Sequence, residues 1–430
     1  MTQIAPSTWS NWAGNVRAMP RQIARPADEA ELGDVIRMAP GPVRIIGSGH
    51  SFTPLVASEG TILDLAAFSG LKAHDATRMT ATIGAGTALG TLTQLLHAAG
   101  QGLPNMGDID RQTIGGALGT ATHGSGIGLG AYHTQLLNVR LADGRGQIRT
   151  ISAETEPEMI RAIGVNLGAF GAMTEVTFQN MPSYRLRRRR RALPVGDALT
   201  NFDSLLKGHR SAEFFVIPFS GHALHLSYDI VDDPVSTHPP EQDEDGLKTL
   251  KMLRNALKFL PWLRRKLIGS AIARLAPEDF VDIWFGAYVS ERRTRFNEME
   301  YHLPFEAGAR ALREILTLME KQFPEVYFPL EIRSVAADET WLSPFYRRET
   351  CSIAVHHDAA EDSTAFFRAV EPIFRKYEGR PHWGKMHSLT ARDFAALYPR
   401  FTEAMEVRRD IDPENRFISP YLAKILGVGA

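Results

Sequence analysis

The chain has 430 residues, of which 44% are hydrophobic and 23% are charged, as in an ordinary soluble globular protein of two or three domains. Its net charge of −1 gives no overall reason to bind nucleic acid, and its single cysteine excludes an intrachain disulfide. The N-terminal residues show neither the basic start nor the apolar core of a signal peptide. No segment approaches the roughly 18 apolar residues of a membrane span. We therefore expect a cytoplasmic protein without a nucleic-acid partner.

The first 100 residues predict alternating helices and strands. The segment "RPADEAELGDVIRMA" has a proline and acidic residues at its start and apolar residues at helical spacing, which predicts a helix. The segments "PVRIIGSG", "TILDLAAF" and "MTATIGAG" predict short strands. Residues 87–100 predict a second helix that ends at Gly100.

Residues 101–130 are rich in glycine, which argues against a simple helix or strand and favours a backbone packed against a ligand. Residues 133–151 predict a hairpin with "DGRG" as its turn. The segment "NLGAFGAMTEVTFQNMP" predicts a glycine-marked loop that runs into a strand.

The second half has a different composition. Five consecutive arginines, Arg187–Arg191, favour a solvated strand or a linker edge, with a basic patch for an anionic partner as the alternative. Residues 238–246 predict an acidic disordered loop. Residues 247–276 predict basic amphipathic helices interrupted by Pro261, for which we favour core packing over peripheral membrane or partner contact.

The remaining segments predict a second mixed domain with an antiparallel sheet. Strands are predicted at "VDIWFGAY", "RFNEMEYHLP", "FPLEIRSVA" and "SIAVHHD", alternating with helices around 306–322 and 362–377. No internal repeat is present in the sequence.

The stretch "GAGTALG" (84–90) has the glycine spacing of a dinucleotide-binding turn between a strand and a helix. A Rossmann site also needs a second strand ending in an acidic residue about 20 positions later, and none is predicted there. We therefore favour a simple strand-to-helix turn that requires small residues.

The motif "GSGHSF" places His50 on a glycine turn, where we expect it to be exposed and available for hydrogen bonding, metal ligation or nucleophilic attack. No cluster at metal-ligand spacing lies nearby, so no metal site is expected. A second histidine, His123, recurs among glycines in "GTATHGSG", and we expect it to be exposed too. Two such turns suggest one ligand bound between them.

At this point the chain resembles a known family. The motifs "GSGHSF", "THGSG", "RFNEMEY", "EIR" and "RPHWGK" occur in the order found in vanillyl-alcohol-oxidase-type FAD enzymes. Within that superfamily the chain most resembles the aldonolactone oxidases and dehydrogenases and the related alditol oxidases. The resemblance implies an α+β fold with a PCMH-type FAD-binding domain (1–180), a substrate or cap domain with a mixed or antiparallel sheet flanked by helices (181–400), and a C-terminal segment returning to the first domain (401–430).

The resemblance also implies FAD as cofactor, covalently attached through His50. Clustered backbone N–H groups of a glycine turn suit a pyrophosphate. The residues that the resemblance implies for cofactor binding are Gly47, Ser48, Gly49, His50, Ser51, Gly107, Asp108, Gly115, Gly116, Thr120, His123, Gly126, Gly171 and Met173.

The implied catalytic residues lie in the second domain. Glu331 and Arg333 share one face of a strand, and by themselves would be interpreted as a structural ion pair. The resemblance instead places them in the substrate pocket with Lys385, whose pKa we expect to fall beside Arg333. His356 is a further pocket candidate, although the adjacent His357 leaves the register open.

These residues imply oxidation of a sugar hydroxyl by hydride transfer to the flavin. Arg333 and Lys385 would stabilise negative charge, and Glu331 would hold hydroxyls and relay a proton. An aldono-1,4-lactone is the expected substrate and a linear alditol is the alternative, which Asp358 disfavours because the alditol oxidases have a threonine there. Gly107 permits reoxidation by O2 without excluding another acceptor. A binding protein that has lost its chemistry is a third hypothesis, which retention of these residues opposes.

Overall fold

A computed structural model describes residues 8–239, 243–290 and 292–429. Within these ranges, no helix has both the length and the apolar character needed to cross a bilayer. Of the predicted acidic loop 238–246, residues 240–242 lie outside the described residues, and a helix begins at Asp243.

The strands, numbered in chain order, are β1 (Trp9–Ser10), β2 (Arg17–Ala18), β3 (Gln22–Ala24), β4 (Val43–Ile46), β5 (Thr61–Asp64), β6 (Leu71–Asp75), β7 (Thr80–Gly84), β8 (Gln101–Gly102), β9 (Leu136–Ala142), β10 (Ile148–Ser152), β11 (Ala172–Gln179), β12 (Met181–Pro182), β13 (Arg185–Pro194), β14 (Ser211–Ile217), β15 (His222–Val231), β16 (Glu278–Ile283), β17 (Phe296–Pro304), β18 (Leu330–Val335), β19 (Thr350–Asp358) and β20 (Arg380–Pro381).

The α-helices are α1 (Glu29–Met38), α2 (Leu89–Ala98), α3 (Ile114–Gly119), α4 (Pro157–Ile163), α5 (Val195–Thr200), α6 (Phe202–Lys207), α7 (Asp243–Ala256), α8 (Pro261–Ala273), α9 (Trp284–Tyr288), α10 (Gly308–Gln322), α11 (Thr364–Lys376), α12 (Ala391–Leu397), α13 (Phe401–Ile411) and α14 (Pro420–Leu426).

The N-terminal half contains two larger sheets, besides the two-stranded pairings of β1 with β2 and of β8 with β12. Strands β3, β5 and β4 form a parallel sheet, and β10, β9, β11, β7 and β6 form an antiparallel sheet in that order. The "GAGTALG" turn joins β7 to α2, as predicted, but β7 pairs antiparallel with both of its neighbours. A Rossmann turn follows a strand of a parallel sheet, so the topology also argues against a dinucleotide site of that type.

An eight-stranded sheet dominates the second half, in the order β16-β13-β15-β14-β18-β19-β17-β20. Every neighbouring pair is antiparallel, and helices such as α10 and α11 pack against it. The α+β class with an antiparallel second sheet is therefore confirmed.

Three local predictions need correction. The arginine run forms a strand, β13, as predicted, but it lies between β15 and β16 and is only partly solvated, because Arg190 is buried against Glu278 and Asp243. The segment "VDIWFGAY" is only half strand, because its aromatic part forms α9. The glycine-rich stretch also contains a short helix, α3, capped by the Thr113 side chain.

Helices α7 and α8 form a hairpin whose second helix has Pro261 in its first turn, where proline costs no hydrogen bond. Leu250 and Ile268 are buried in its inner face. The predicted interruption at Pro261 is confirmed, and so is core packing for this inner face.

Arg44 ties distant parts of the chain together. Its guanidinium donates to the carbonyls of Leu55 (2.7 Å), Leu167 (2.6 Å), Gly168 (2.6 Å) and Phe417 (2.6 Å). Burial lowers its pKa to about 9, so the group still carries its charge at neutral pH. These hydrogen bonds fix the C-terminal segment at Phe417 to β4 and to the loop that precedes β11.

We expect Arg44→Met to lower the free energy of unfolding by about 3–5 kcal/mol, because it leaves four buried carbonyls without their charged donor. Urea unfolding of the purified protein measures this loss. The matched control is Arg25→Met, since Arg25 is exposed and pairs with Asp64 at the surface, where a loss below about 1 kcal/mol is expected. Equal losses in the two variants would contradict the assigned role.

Candidate active site

A cleft lined by glycines runs between the parallel sheet and α3. The turn after β4 supplies one wall, and Gly49 has a φ of +70° that favours glycine. Ten of the predicted cofactor residues line this cleft: Gly47, Ser48, Gly49, His50, Ser51, Gly115, Gly116, Thr120, Gly171 and Met173.

The cleft fits an elongated ligand that approaches the backbone closely. A Cβ added to Gly47 would lie 2.5 Å from Thr113 Oγ1, the atom that accepts a hydrogen bond from the Gly116 N–H. Gly171 has a φ of +99°, where a side chain would be strained. These residues leave backbone N–H groups accessible, which is how proteins bind a pyrophosphate.

His50 is partly buried at one end of the glycine-lined cleft. Its ring stacks on Trp12 with centroids 5.5 Å apart. Burial, with the nearby charges of Lys385 and Arg111, lowers the pKa of His50 to about 4, so the imidazole is neutral at pH 7. A neutral imidazole has a lone pair available for a bond to a ligand.

A second cavity of about 620 Å³ contains all four predicted catalytic residues, Glu331, Arg333, Lys385 and His356. Gln112 lines both cavities, so the two adjoin at this residue. The backbone N–H of Phe52 donates to the Gly384 carbonyl (2.6 Å), which holds the His50 turn beside the loop that carries Lys385.

Arg333 is the centre of a buried charge network. Its guanidinium contacts Asp108 (3.1 Å), Glu213 (2.7 Å) and Glu331, its neighbour on the same face of β18. Arg292 makes a second ion pair with Asp108 (2.6 Å). Asp108, predicted as a cofactor residue, therefore lies in the second cavity, as does Gly107.

Two carboxyl groups of this network have pKa values shifted in opposite directions. Burial raises the pKa of Glu331 well above its ordinary value, despite the adjacent Arg333. Burial acts in the same direction on Asp108, but Arg292 and Arg333 outweigh it and hold its pKa below the ordinary value. Burial thus favours the protonated form of Glu331 relative to an exposed glutamate, whereas the two arginines hold Asp108 as a carboxylate.

The expected fall in the pKa of Lys385 is wrong. Burial favours the neutral amine, but the carboxyls of Glu298 and Glu300 outweigh it and raise the pKa of Lys385. Its ammonium contacts Glu298 directly, and Glu298 lies opposite His356 in the register of β17 and β19. Lys385 is a stable cation in this cavity.

His356 has a defined tautomer. Its Nδ1 lies 2.9 Å from the Pro329 carbonyl, which can only accept, so Nδ1 carries the proton and Nε2 has the lone pair. Burial lowers the pKa of His356, which keeps the ring neutral. The next residue, His357, does not line the cavity and packs near Phe366 instead.

His123 is not exposed, contrary to prediction: it is buried, and its two ring nitrogens lie 2.7 Å from the Gly124 carbonyl and 3.0 Å from Glu300. It lines the second cavity, whereas His50 lines the first. His123, Glu300 and His302 place one ligand atom each within 4.8 Å of one another. His123 and Glu300 already form a hydrogen bond with each other, and the Ser352 hydroxyl also donates to Glu300.

Gly126 lines neither cavity. Its N–H donates to the Ser334 carbonyl (2.7 Å), and a side chain there would meet Leu129. Asp358 also lies outside the cavity, where it accepts from Tyr327 (2.6 Å) and Lys251 (2.7 Å). The reason for disfavouring a polyol substrate therefore loses its structural basis.

Sequence reasoning missed several charged residues of the second cavity and its network, among them Glu213, Glu298, Arg188, Arg190 and Arg292. One signal was available for Glu213: it is the single charged residue in the apolar strand "SAEFFVI", and a buried charge requires a partner. The run Arg187–Arg191 carried a similar signal. Alternate residues of a strand face opposite sides, so Arg188 and Arg190 share one face, and both line the second cavity.

Two family models match the chain. The D-arabinono-1,4-lactone oxidase model matches residues 176–425, and an FAD binding domain model matches residues 20–152. The second match covers much of the glycine-lined cleft, and the first covers Glu331, Arg333, His356 and Lys385.

Relatives that match over nearly their whole length indicate the same family. L-gulono-1,4-lactone dehydrogenase of Mycobacterium tuberculosis is 33% identical over 97% of this chain and 99% of its own length. L-gulonolactone oxidase of Bos taurus and alditol oxidase of a Streptomyces species are each 27% identical, over 97% of this chain and 98% of their own lengths.

Cholesterol oxidase of B. sterolicum shares the fold, with a TM-score of 0.79 at 17% identity over 98% of this chain and 97% of that chain. Together with the sequence matches, this confirms the two-domain α+β architecture and FAD as the cofactor. The chain belongs to the D-arabinono-1,4-lactone oxidase family and is an FAD-linked oxidoreductase that acts on a CH–OH group.

Proposed function

We propose that this chain oxidises a hydroxyl of an aldono-1,4-lactone. The observation that supports the proposal is the convergence of Glu331, Arg333, Lys385 and His356 in one cavity that adjoins the glycine-lined cleft at Gln112. When bound, FAD supplies the acceptor for the hydride that leaves the substrate carbon. The residues of the second cavity bind and orient the hydroxyl and receive its proton.

His356 is the residue that takes the hydroxyl proton. Its neutral ring presents the Nε2 lone pair, and the Pro329 carbonyl fixes the tautomer. Burial raises the pKa of Glu331, which favours a role in holding a substrate oxygen by a hydrogen bond over a role as the proton acceptor. Arg333 and Lys385 remain cations and stabilise negative charge that develops near them.

A linear alditol is the second candidate substrate. It is favoured by the position of Asp358 outside the cavity and by the match to an alditol oxidase over nearly the whole chain. The cavity volume of about 620 Å³ accommodates an extended polyol as well as a ring.

His50 anchors the cofactor covalently in this proposal. The imidazole lines the glycine-lined cleft, and its lowered pKa keeps it neutral at pH 7, so it has a lone pair with which to form the bond. At Gly107, an added Cβ would lie 3.1 Å from the His123 carbonyl oxygen, which is closer than an ordinary van der Waals contact. We propose that Gly107 keeps a path open for O2, with another electron acceptor as the alternative.

We expect Gly47→Ala to purify with at least about tenfold less FAD, because its Cβ would displace the Thr113 hydroxyl that shapes the cleft. The ratio of visible to ultraviolet absorbance measures cofactor content. Gly196→Ala is the matched control, since a Cβ there meets nothing within 4 Å. An unchanged ratio in Gly47→Ala would refute this role of the cleft.

Covalent attachment predicts that the yellow colour stays with the acid-precipitated chain and that His50→Ala releases it. Free flavin in the supernatant of the unaltered protein would refute the bond. In that event FAD binding itself would still be measurable by the absorbance ratio, so the two results are separable.

Substrate class is tested by anaerobic mixing, in which reduction bleaches the flavin absorbance. We expect bleaching by gulono- or galactono-1,4-lactone and none by xylitol or sorbitol; the reverse would establish the alditol reaction. His356→Gln should slow bleaching by about 10²–10⁴-fold with little change in substrate affinity, because the proton acceptor is lost. The control His357→Gln, outside the cavity, should retain the rate, and equal rates in both variants would exclude His356 as the base.

A further inference from the structure

The α7–α8 hairpin carries an exposed apolar surface. Nine large hydrophobic residues are exposed among the described parts of the chain, and five of them lie between residues 252 and 267. Phe259 is 89% exposed and Trp262 is 65% exposed. We call this set the hairpin patch: Met252, Phe259, Leu260, Trp262 and Leu267.

Positive charge surrounds the hairpin patch. Residues 247–276 contain eight lysines and arginines and no acidic residue, in a chain whose net charge is −1. Lys258, Lys266 and Arg274 are exposed and form no ion pair with any residue that the structure describes. The rest of the chain therefore has a net negative charge, whereas this element has a net positive charge.

Packing explains only the inner face of the hairpin. Leu250 and Ile268 are buried there, and Leu247, Leu253 and Ile272 line the second cavity. A helix pair that is apolar on both faces needs an apolar environment on each side. The rest of the protein supplies an apolar environment for the inner face, whereas the hairpin patch is exposed.

The hairpin is held firmly against the eight-stranded sheet. Lys251 bonds Asp358 (2.7 Å), and the Arg254 guanidinium makes two bonds to Glu361 (2.7 and 2.8 Å). These contacts fix the side of α7 that faces the sheet, so the hairpin patch is displayed in a defined orientation.

We propose that the hairpin patch docks on an anionic phospholipid bilayer, with Phe259 and Trp262 inserted at the interface and the lysines and arginines against lipid phosphates. Aromatic and leucine side chains combined with basic residues are the composition of helices that lie in a membrane surface. A second copy of the chain fits this surface poorly, because a two-fold interface would bring its unpaired positive charges together. The docking does not depend on which hydroxyl the enzyme oxidises.

Because the inner face lines the second cavity, docking would bring the candidate active site to within about one helix diameter, roughly 10 Å, of the lipid. The apolar wall formed by Leu247, Leu253 and Ile272 would then lie between the catalytic residues and the bilayer.

The test is co-sedimentation of the full-length holoenzyme with vesicles of phosphatidylglycerol and phosphatidylcholine, and with vesicles of phosphatidylcholine alone. We expect the protein to bind the mixed vesicles, and to bind the neutral vesicles at least about tenfold more weakly. Added salt should weaken binding to the mixed vesicles. Phe259→Ser/Trp262→Ser should lose binding about tenfold or more, and Lys258→Glu/Lys266→Glu should lose the preference for anionic lipid. Both variants should keep their flavin content and their rate of bleaching by a soluble substrate.

The matched control is Met19→Ser/Met38→Ser, which alters two exposed apolar residues far from the hairpin in sequence and should bind vesicles as the unaltered protein does. The proposal is overturned if the unaltered protein stays in the supernatant, or if the Phe259/Trp262 variant binds equally well. A concentration-dependent dimer that this variant abolishes would also overturn it and assign the surface to a second copy.

Discussion

The architecture depends on how the charge of one buried guanidinium is compensated. Arg333 on β18 faces Asp108 from the glycine-rich segment and Glu213 from β14, so a single side chain connects the FAD-binding half to the eight-stranded sheet. A buried charge is costly unless it is paired and hydrogen-bonded. Burial raises the pKa of Glu331, the third carboxyl in contact with Arg333, so this group resists ionisation more than an exposed glutamate does.

Much of the fold could be predicted from the sequence because its signals are local. The helix α1, the hairpin of β9 and β10 and the break at Pro261 each follow from capping residues, turn residues or proline geometry within a few positions. The four catalytic candidates were identified by family motifs, and the structure brings them into one cavity.

The predictions that failed concern long-range contacts. The burial of His123 depends on Glu300, which is 177 residues away, and the raised pKa of Lys385 depends on Glu298, which is 87 residues away. A glycine-rich segment indicates that something lies close to the backbone. It does not reveal whether the side chains of that segment face solvent or a strand of another sheet. The burial of Arg190 could not be predicted for the same reason, since the partners of β13 come from separate segments.

The hydrogen bonds of Arg44 also join residues that are synthesised at very different times. Arg44 and the Phe417 carbonyl that it contacts are 373 residues apart. During synthesis the segment with Arg44 leaves the ribosome long before its partner, at rates of about 5–20 residues per second. The Arg44 guanidinium therefore lacks this acceptor until Phe417 has been synthesised, and because Arg44 also lines the glycine-lined cleft, that part of the cleft wall acquires its full set of hydrogen bonds late.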